Sequence, residues 1–342
     1  MSDYLPCKNV LIRQPVPASS PRFMAKTQSL TCDNITYDLE DSVTPSEKEK
    51  ARSYLAGYLT SNTKPPSIGE LAVRINAVST PSALGDLTAL ANSPNLDTIV
   101  IPKVNSAADL SFVTDVLRHA APKRYANGSD ARPFRLIALI ESARAVMDLP
   151  SICAASPDLK GLIFAAEDFA LDLSLTRSPE LTEFLYARSA IVTAARAFEL
   201  ESTIDLVCTS YKGKSGISRL EEECRSGKGL GFNGKRTLEP CPSCFPALLW
   251  VITDSCLECI HPSQVDIVRN MFGPGEAEVQ WAVRVAVADD KASAEGRGAW
   301  TLDGKMIDAP VVGKARAIIK RAESCGFDVA RVVDKWKNQE PE

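Results

Sequence analysis

The sequence predicts an α/β fold, a (β/α)8 TIM barrel followed by a C-terminal helical lid segment. Three observations predict it. Eight short strand-like stretches recur, with helix-like spacing between most successive pairs. Several are continuous apolar runs without polar alternation, as in strands buried on both faces of a parallel sheet. Charged and polar residues gather at their carboxyl ends, which in a barrel all open on one mouth.

Residues 9–13 read as the first strand, broken by Pro15, Pro17 and Pro21, with a helix opening at Arg22-Phe23-Met24-Ala25-Lys26. Residues 35–41 form the second strand and end in Asp38, Glu40 and Asp41 around Leu39. Residues 46–59 are a helix with a serine cap. The third strand, 71–76, ends in Arg74 and Asn76, and the fourth, 97–103, in Pro102-Lys103. Helices at 82–92 and 106–119 follow these two strands. The apolar runs 136–140 and 161–166 are the fifth and sixth strands, ending at Glu141 and at Glu167-Asp168. A long helix at 182–199 leads to the seventh strand, 203–207, with Asp205; helix 217–226 follows, and the last strand is expected to end at Ile260-His261-Pro262. This places the barrel in residues 1–270 and the lid, which also serves oligomerisation, in 271–342.

Composition narrows the function classes. The chain has 342 residues, 45% hydrophobic and 24% charged, as in an ordinary globular protein. A formal net charge of −4 provides no basic field for nucleic acid. No apolar run approaches the roughly 20 residues of a membrane span. The N-terminus lacks a secretory signal and an Arg-rich leader, so a cytoplasmic protein is expected, with the mitochondrial matrix as the alternative. Of ten cysteines, six are scattered and read as buried thiols of a reducing compartment. Two histidines, His119 and His261, are too few for a His-rich zinc site.

Glu141 and Asp168 end adjacent strands. Hard carboxylate oxygens converging on one mouth suit Mg²⁺, with water and substrate completing the shell. Equally, each acid could cap the helix that follows it.

The chain resembles the citrate lyase β-subunit-like family of the HpcH/HpaI aldolase superfamily. The resemblance is carried by Pro21-Arg22-Phe23 with Lys26, Asp38-Leu39-Glu40-Asp41, Val73-Arg74-Ile75-Asn76 and Ile101-Pro102-Lys103. It continues through Ile140-Glu141-Ser142, Glu167-Asp168, Tyr186-Ala187-Arg188, Ile204-Asp205, Gly234-Lys235, Ile260-His261-Pro262 and Asp303-Gly304-Lys305-Met306-Ile307-Asp308. It implies a Mg²⁺-dependent carbon–carbon lyase acting on an acyl-CoA such as citramalyl-CoA or malyl-CoA. Glu141 and Asp168 would hold the metal and Arg74 would neutralise the developing oxyanion. Asp308, from a segment lying over a neighbouring subunit, would move the proton, and Glu40 and Asp41 would order Arg74. Arg22 and Lys26 would meet CoA phosphates, with Pro102 and Lys103 also on the substrate side. A homotrimer or a multiple of it is implied. Arg74 as a mere partner of Glu40, and Arg22 with Lys26 as a solvated helix face, remain open. So do thioesterase or malate synthase-type activity, a citrate lyase β subunit acting on a carrier-bound substrate, and a barrel inactivated by an insertion.

That insertion is residues 236–259, which separate Gly234-Lys235 from Ile260-His261-Pro262, whereas the family runs almost directly from one to the other. It holds Cys241-Pro242-Ser243-Cys244 and Cys256-Leu257-Glu258-Cys259 around an apolar spacer of 11 residues. Zinc ribbons usually have about 15–20 there. A zinc site, a packed insertion and translated non-coding sequence are all compatible with it. Its expected position, before the last strand, puts it on the barrel's amino-terminal face.

Overall fold

The computed structural model describes residues 12–27, 32–126, 131–210, 213–236, 267–268 and 270–342. They divide into two compact units, Leu11–Val268 and Arg269–Glu342.

The first unit is a closed barrel of eight parallel strands in sequence order. The strands are β1 (Ile12–Pro17), β2 (Cys32–Asp38), β3 (Ile68–Arg74), β4 (Thr98–Ile101), β5 (Arg135–Ile140), β6 (Leu159–Phe164), β7 (Ser202–Asp205) and β8 (Gly234–Arg236). Connecting helices include α1 (Pro21–Lys26), α2 (Lys48–Ser61), α3 (Ser82–Leu90), α4 (Ala107–Ala120), α5 (Ala143–Met147), α6 (Leu149–Ala154), α7 (Ala166–Leu173), α8 (Leu185–Ala197) and α9 (Gly213–Leu230). Inside the barrel, Ala72, Val100, Ile137, Leu139, Ile163 and Ile204 form one buried apolar cluster. Those side chains make the runs apolar, and the helices cover the outer face.

Two strands differ from the sequence reading. β1 runs through Pro15 and Pro17, which were expected to end it. It pairs with β2 from Arg13 to Pro17 and, among the described residues, with β8 only at Ile12 and Arg13. A proline lacks an N–H, and the side of β1 facing β8 makes no described ladder bonds beyond Arg13, so the loss is tolerated there. The eighth strand is Gly234–Arg236, and Ile260–Pro262 lies outside the described residues. Sequence missed β8 because it is polar. Its polar groups are satisfied locally: the Asn233 amide N–H donates to the Thr203 carbonyl at 2.9 Å, and Asn233 Oδ1 accepts from the Thr203 backbone N–H at 3.0 Å. Buried Lys235 lies 3.0 Å from Glu223 and donates to the Leu206 carbonyl at 2.8 Å. The insertion expected on the amino-terminal face likewise falls, from residue 237 on, outside the described residues.

The second unit carries helices Glu276–Ala294, Ala309–Ser324 and Val329–Trp336, with a hairpin of Trp300–Leu302 and Lys305–Ile307. Ala282, Val285, Ala288, Ala292, Trp300, Leu302 and Ile307 pack with Val312, Ala315 and Ile318 into its core. Asp303 and Gly304 form the hairpin turn with φ of 52° and 70°, a conformation glycine takes without strain.

Cys153, Cys208 and Cys224 are buried thiols as expected. Burial pushes them up to about 11, 11 and 12. Cys325 departs from that reading and is disulfide-bonded.

Candidate active site

The mouth is built at the carboxyl ends of β2 to β6. Asp38 and Arg74 occupy paired positions in the β2–β3 register. The Arg74 guanidinium donates from Nε to Asp38 Oδ1 at 2.7 Å and from Nη2 to Asp38 Oδ2 at 2.8 Å, a bidentate clamp. Its Nη1 lies 3.0 Å from Glu40 Oε2 and 3.4 Å from Asp41 Oδ2. Arg74 is 4% exposed and Asp38 fully buried. Asp38 also accepts the Glu40 and Ser42 amides at 3.0 and 3.1 Å. Burial is the largest influence on Asp38 and opposes ionisation, but the Arg74 charge and these hydrogen bonds together hold its carboxyl well below the usual range.

Lys103 follows the buried Pro102 at the end of β4. Its Nζ lies 2.9 Å from Glu40 Oε1, 3.3 Å from Asp41 Oδ1 and 4.0 Å from Asp168 Oδ1. Lys48 closes the β2–α2 loop from behind, donating to the Leu39 and Glu40 carbonyls at 2.9 and 2.6 Å. Burial pushes the Glu40 carboxyl up to about 7 despite Arg74.

Glu141 ends β5 and is 5% exposed. Burial, then the negative charges of Glu40 and Asp168, push it up to about 8. Its Oε2 is buried with no hydrogen-bond partner among the described residues. A buried carboxylate oxygen without a partner is costly unless something electropositive joins it. Asp168 lies in the first turn of α7, and neither its position nor Glu141's is that of a helix-capping residue. The caps are Ser142, whose Oγ accepts from the Ala145 amide at 3.1 Å, and Ala165. The donor chemistry fits a hard divalent ion such as Mg²⁺: two carboxylates from neighbouring strand ends, one with an unpaired oxygen. Among the described residues no three Asp, Glu, His or Cys side chains cluster for a metal, so water and substrate would supply the other donors.

The structure thus brings together Glu40, Asp41, Arg74, Lys103, Glu141 and Asp168, with Pro102 beside them. Arg22 is exposed on α1, and the Lys26 side chain lies outside the described residues. Asp308 belongs to the second unit, where it N-caps the helix Ala309–Ser324 and accepts from the Val311 amide at 3.2 Å.

Two strand-end groups expected at the mouth are used elsewhere. Asp205 is buried in a pair with Arg188 of α8, at 2.6 and 3.0 Å. Asn76 donates through Nδ2 to Asp86 of α3 at 2.7 Å, where Arg52 of α2 also donates at 2.7 Å. Both fasten helices to the barrel. His261 lies outside the described residues. Sequence reasoning left Asp38 without a role, although its place opposite Arg74 on the next strand is the signal.

A family profile, HpcH/HpaI aldolase/citrate lyase, matches residues 15–240. The citrate lyase subunit beta of Leuconostoc mesenteroides subsp. cremoris is 32% identical over 313 residues, covering 90% of this chain and 92% of that one. The human mitochondrial citramalyl-CoA lyase is 29% identical over 330 residues, 94% and 87% of the two chains. The (3S)-malyl-CoA thioesterase of Cereibacter sphaeroides is 30% identical over 309 residues, 90% and 93%. Among solved structures, the protein CitE of Mycobacterium tuberculosis in complex with magnesium, acetoacetate and coenzyme A superposes with a TM-score of 0.68. It is 28% identical and covers 93% of this chain and 99% of that one. With the eight-stranded barrel and its acidic mouth, these matches establish that the chain belongs to the HpcH/HpaI aldolase/citrate lyase family of carbon–carbon lyases.

Proposed function

We propose that this chain is a magnesium-dependent lyase that splits a 2-hydroxyacyl-type CoA thioester, citramalyl-CoA or malyl-CoA, into acetyl-CoA and a 2-oxo acid. The observation that carries the reading is the buried Glu141 Oε2 without a partner, next to Asp168 at the mouth. The magnesium-bound relative and the citramalyl-CoA lyase relative support it.

In this reading Glu141 and Asp168 hold Mg²⁺, which when bound supplies positive charge for the oxygens of the 2-oxo acid product. Arg74 presents its charge at the end of β3, locked by Asp38, so it can meet the enolate oxyanion without reorganising. Glu40 and Asp41 hold Arg74 and Lys103 in place. Asp308 delivers or removes the proton at the thioester's α-carbon, from a C-terminal lid laid over a neighbouring barrel in a homotrimer or a multiple of it. Arg22, Lys26, Pro102 and Lys103 face the CoA ester. The cytoplasm is the proposed compartment, and the human relative's mitochondrial name raises the matrix as the alternative. No helix among the described residues is long and apolar enough to cross a membrane.

Thioester hydrolysis is the second reading, favoured by the thioesterase relative, which would share the enolate chemistry. A barrel inactivated by the insertion at 236–259 is the remaining alternative. Incubation with citramalyl-CoA and malyl-CoA, following acetyl-CoA, free CoA and 2-oxo acid separately, distinguishes the three. Acetyl-CoA formed with the 2-oxo acid, lost in EDTA and restored by Mg²⁺, supports the lyase. Free CoA without 2-oxo acid marks the hydrolase, and no product marks the inactivated barrel.

A further inference from the structure

The acidic mouth has a counter-ion of its own. Lys103 takes a φ of 50°, in the left-handed region that non-glycine residues rarely enter. Such strain persists where the surroundings enforce it and concentrates at functional positions. Here Asn105 donates to the Lys103 carbonyl at 3.2 Å, and Asn105 Oδ1 accepts from Ser142 Oγ at 2.5 Å, tying the β4 loop to the residue after Glu141. From this backbone the Lys103 side chain reaches acids beyond the ends of two different strands. Glu40 and Asp41 follow β2, and Asp168 follows β6.

These contacts are graded. Lys103 Nζ donates to Glu40 at 2.9 Å and to Asp41 at 3.3 Å, but its contact with Asp168 is 4.0 Å, an ion pair without a hydrogen bond. Arg74 cannot substitute for it, because Arg74 is clamped on Asp38. An ammonium on a four-carbon stem can move where a forked guanidinium cannot.

We propose that Lys103 is a positioning residue that sets the divalent-cation affinity of the mouth. Its ammonium balances Asp168 while no divalent ion is bound, and yields Asp168, keeping Glu40 and Asp41, when one enters. Lys103 and the metal ion then compete as like charges for one carboxylate, and removing the lysine charge tightens metal binding. The proposal rests on the reading of Glu141 and Asp168 as metal ligands.

The experiment is calorimetric titration of Mg²⁺ into metal-stripped full-length wild type, Lys103→Met, Lys103→Gln, Lys103→Arg and Glu141→Gln, with circular dichroism verifying each fold. The expected result is a Kd for Mg²⁺ lowered about tenfold in both neutral Lys103 variants, unchanged in Lys103→Arg, and raised at least about tenfold in Glu141→Gln. Two neutral variants keep the test intact if one fails to fold. Loss of affinity in Glu141→Gln combined with unchanged or weaker binding in the neutral Lys103 variants overturns the proposal and leaves the metal reading standing. Wild-type affinity in Glu141→Gln overturns both.

Discussion

Arg74 and Asp38 sit opposite each other on β3 and β2, both buried, joined by hydrogen bonds of 2.7 and 2.8 Å. Each explains the other's burial: neither charge could stay in the barrel without its partner. The pair also fixes the only guanidinium that touches Glu40 and Asp41 among the described residues.

Replacing Asp38 with Asn should cost about 3–5 kcal/mol at neutral pH, because Arg74 stays buried with less compensation. The pH dependence has a definite sign. Asp38 is held below its ordinary value, so at acid pH the unfolded state binds a proton that the native state does not. Its contribution is therefore complete above about pH 4 and lost as pH falls below that. Denaturation midpoints measured from pH 2 to 7 should show a flatter acid limb in Asp38→Asn. Equal limbs would mean the pair is not a major source of acid sensitivity.

Glu141 is expected to trade stability for function. Its carboxylate is buried with an unpaired oxygen, so Glu141→Gln should leave the metal-free Tm unchanged or raise it. Acyl-CoA cleavage should fall by ~10³ or more if the residue holds the metal. A destabilised variant with normal turnover contradicts both expectations.

Asp308 has a visible structural role as a cap and a proposed chemical one. Asp308→Ala should cost about 1 kcal/mol in stability, and Asp308→Asn much less, since Asn also caps well. Both should lose turnover if Asp308 moves a proton. Mixing Asp308→Asn with Glu141→Gln subunits should then recover part of the activity through sites assembled from one intact half of each. No recovery after verified subunit exchange would place Asp308 in its own subunit's site or outside the chemistry.

Removing residues 237–259, so that Arg236 joins Ile260, retains β8. The excised stretch contains Trp250 and the apolar run Phe245 to Ile252, so its loss should raise solubility. Tm should rise by about 2–4 °C for each kcal/mol recovered. A fall in Tm would identify a packed element, and a fall reproduced by chelating the full-length protein would identify zinc.

Much of the barrel was legible because strands buried on both faces leave continuous apolar runs, as at Leu136–Ile140 and Leu162–Phe164. The mouth was legible because its acids and bases sit at the ends of those runs. β8 was hidden because polar partners, not apolar packing, keep it buried. Asp205 and Asn76 were misplaced for a related reason: a polar residue at a strand end reads the same whether it points into the mouth or toward a helix. Arg188 and Asp86 decide the direction, and their partnership exists only after folding. The prolines of β1 were misread because strand geometry excludes proline only where its missing N–H would have had an acceptor.

The seam between β1 and β8 also bears on how the barrel assembles. The other strand pairs join neighbours in sequence, whereas Ile12 and Lys235, paired across this seam, lie more than 200 residues apart. Closing so long a loop is the least favourable step of ring formation. The sheet should therefore curl from β2 through β6 and zip shut at β1–β8 last. The same seam should part first when the native barrel opens, making Arg236 an early site of amide exchange.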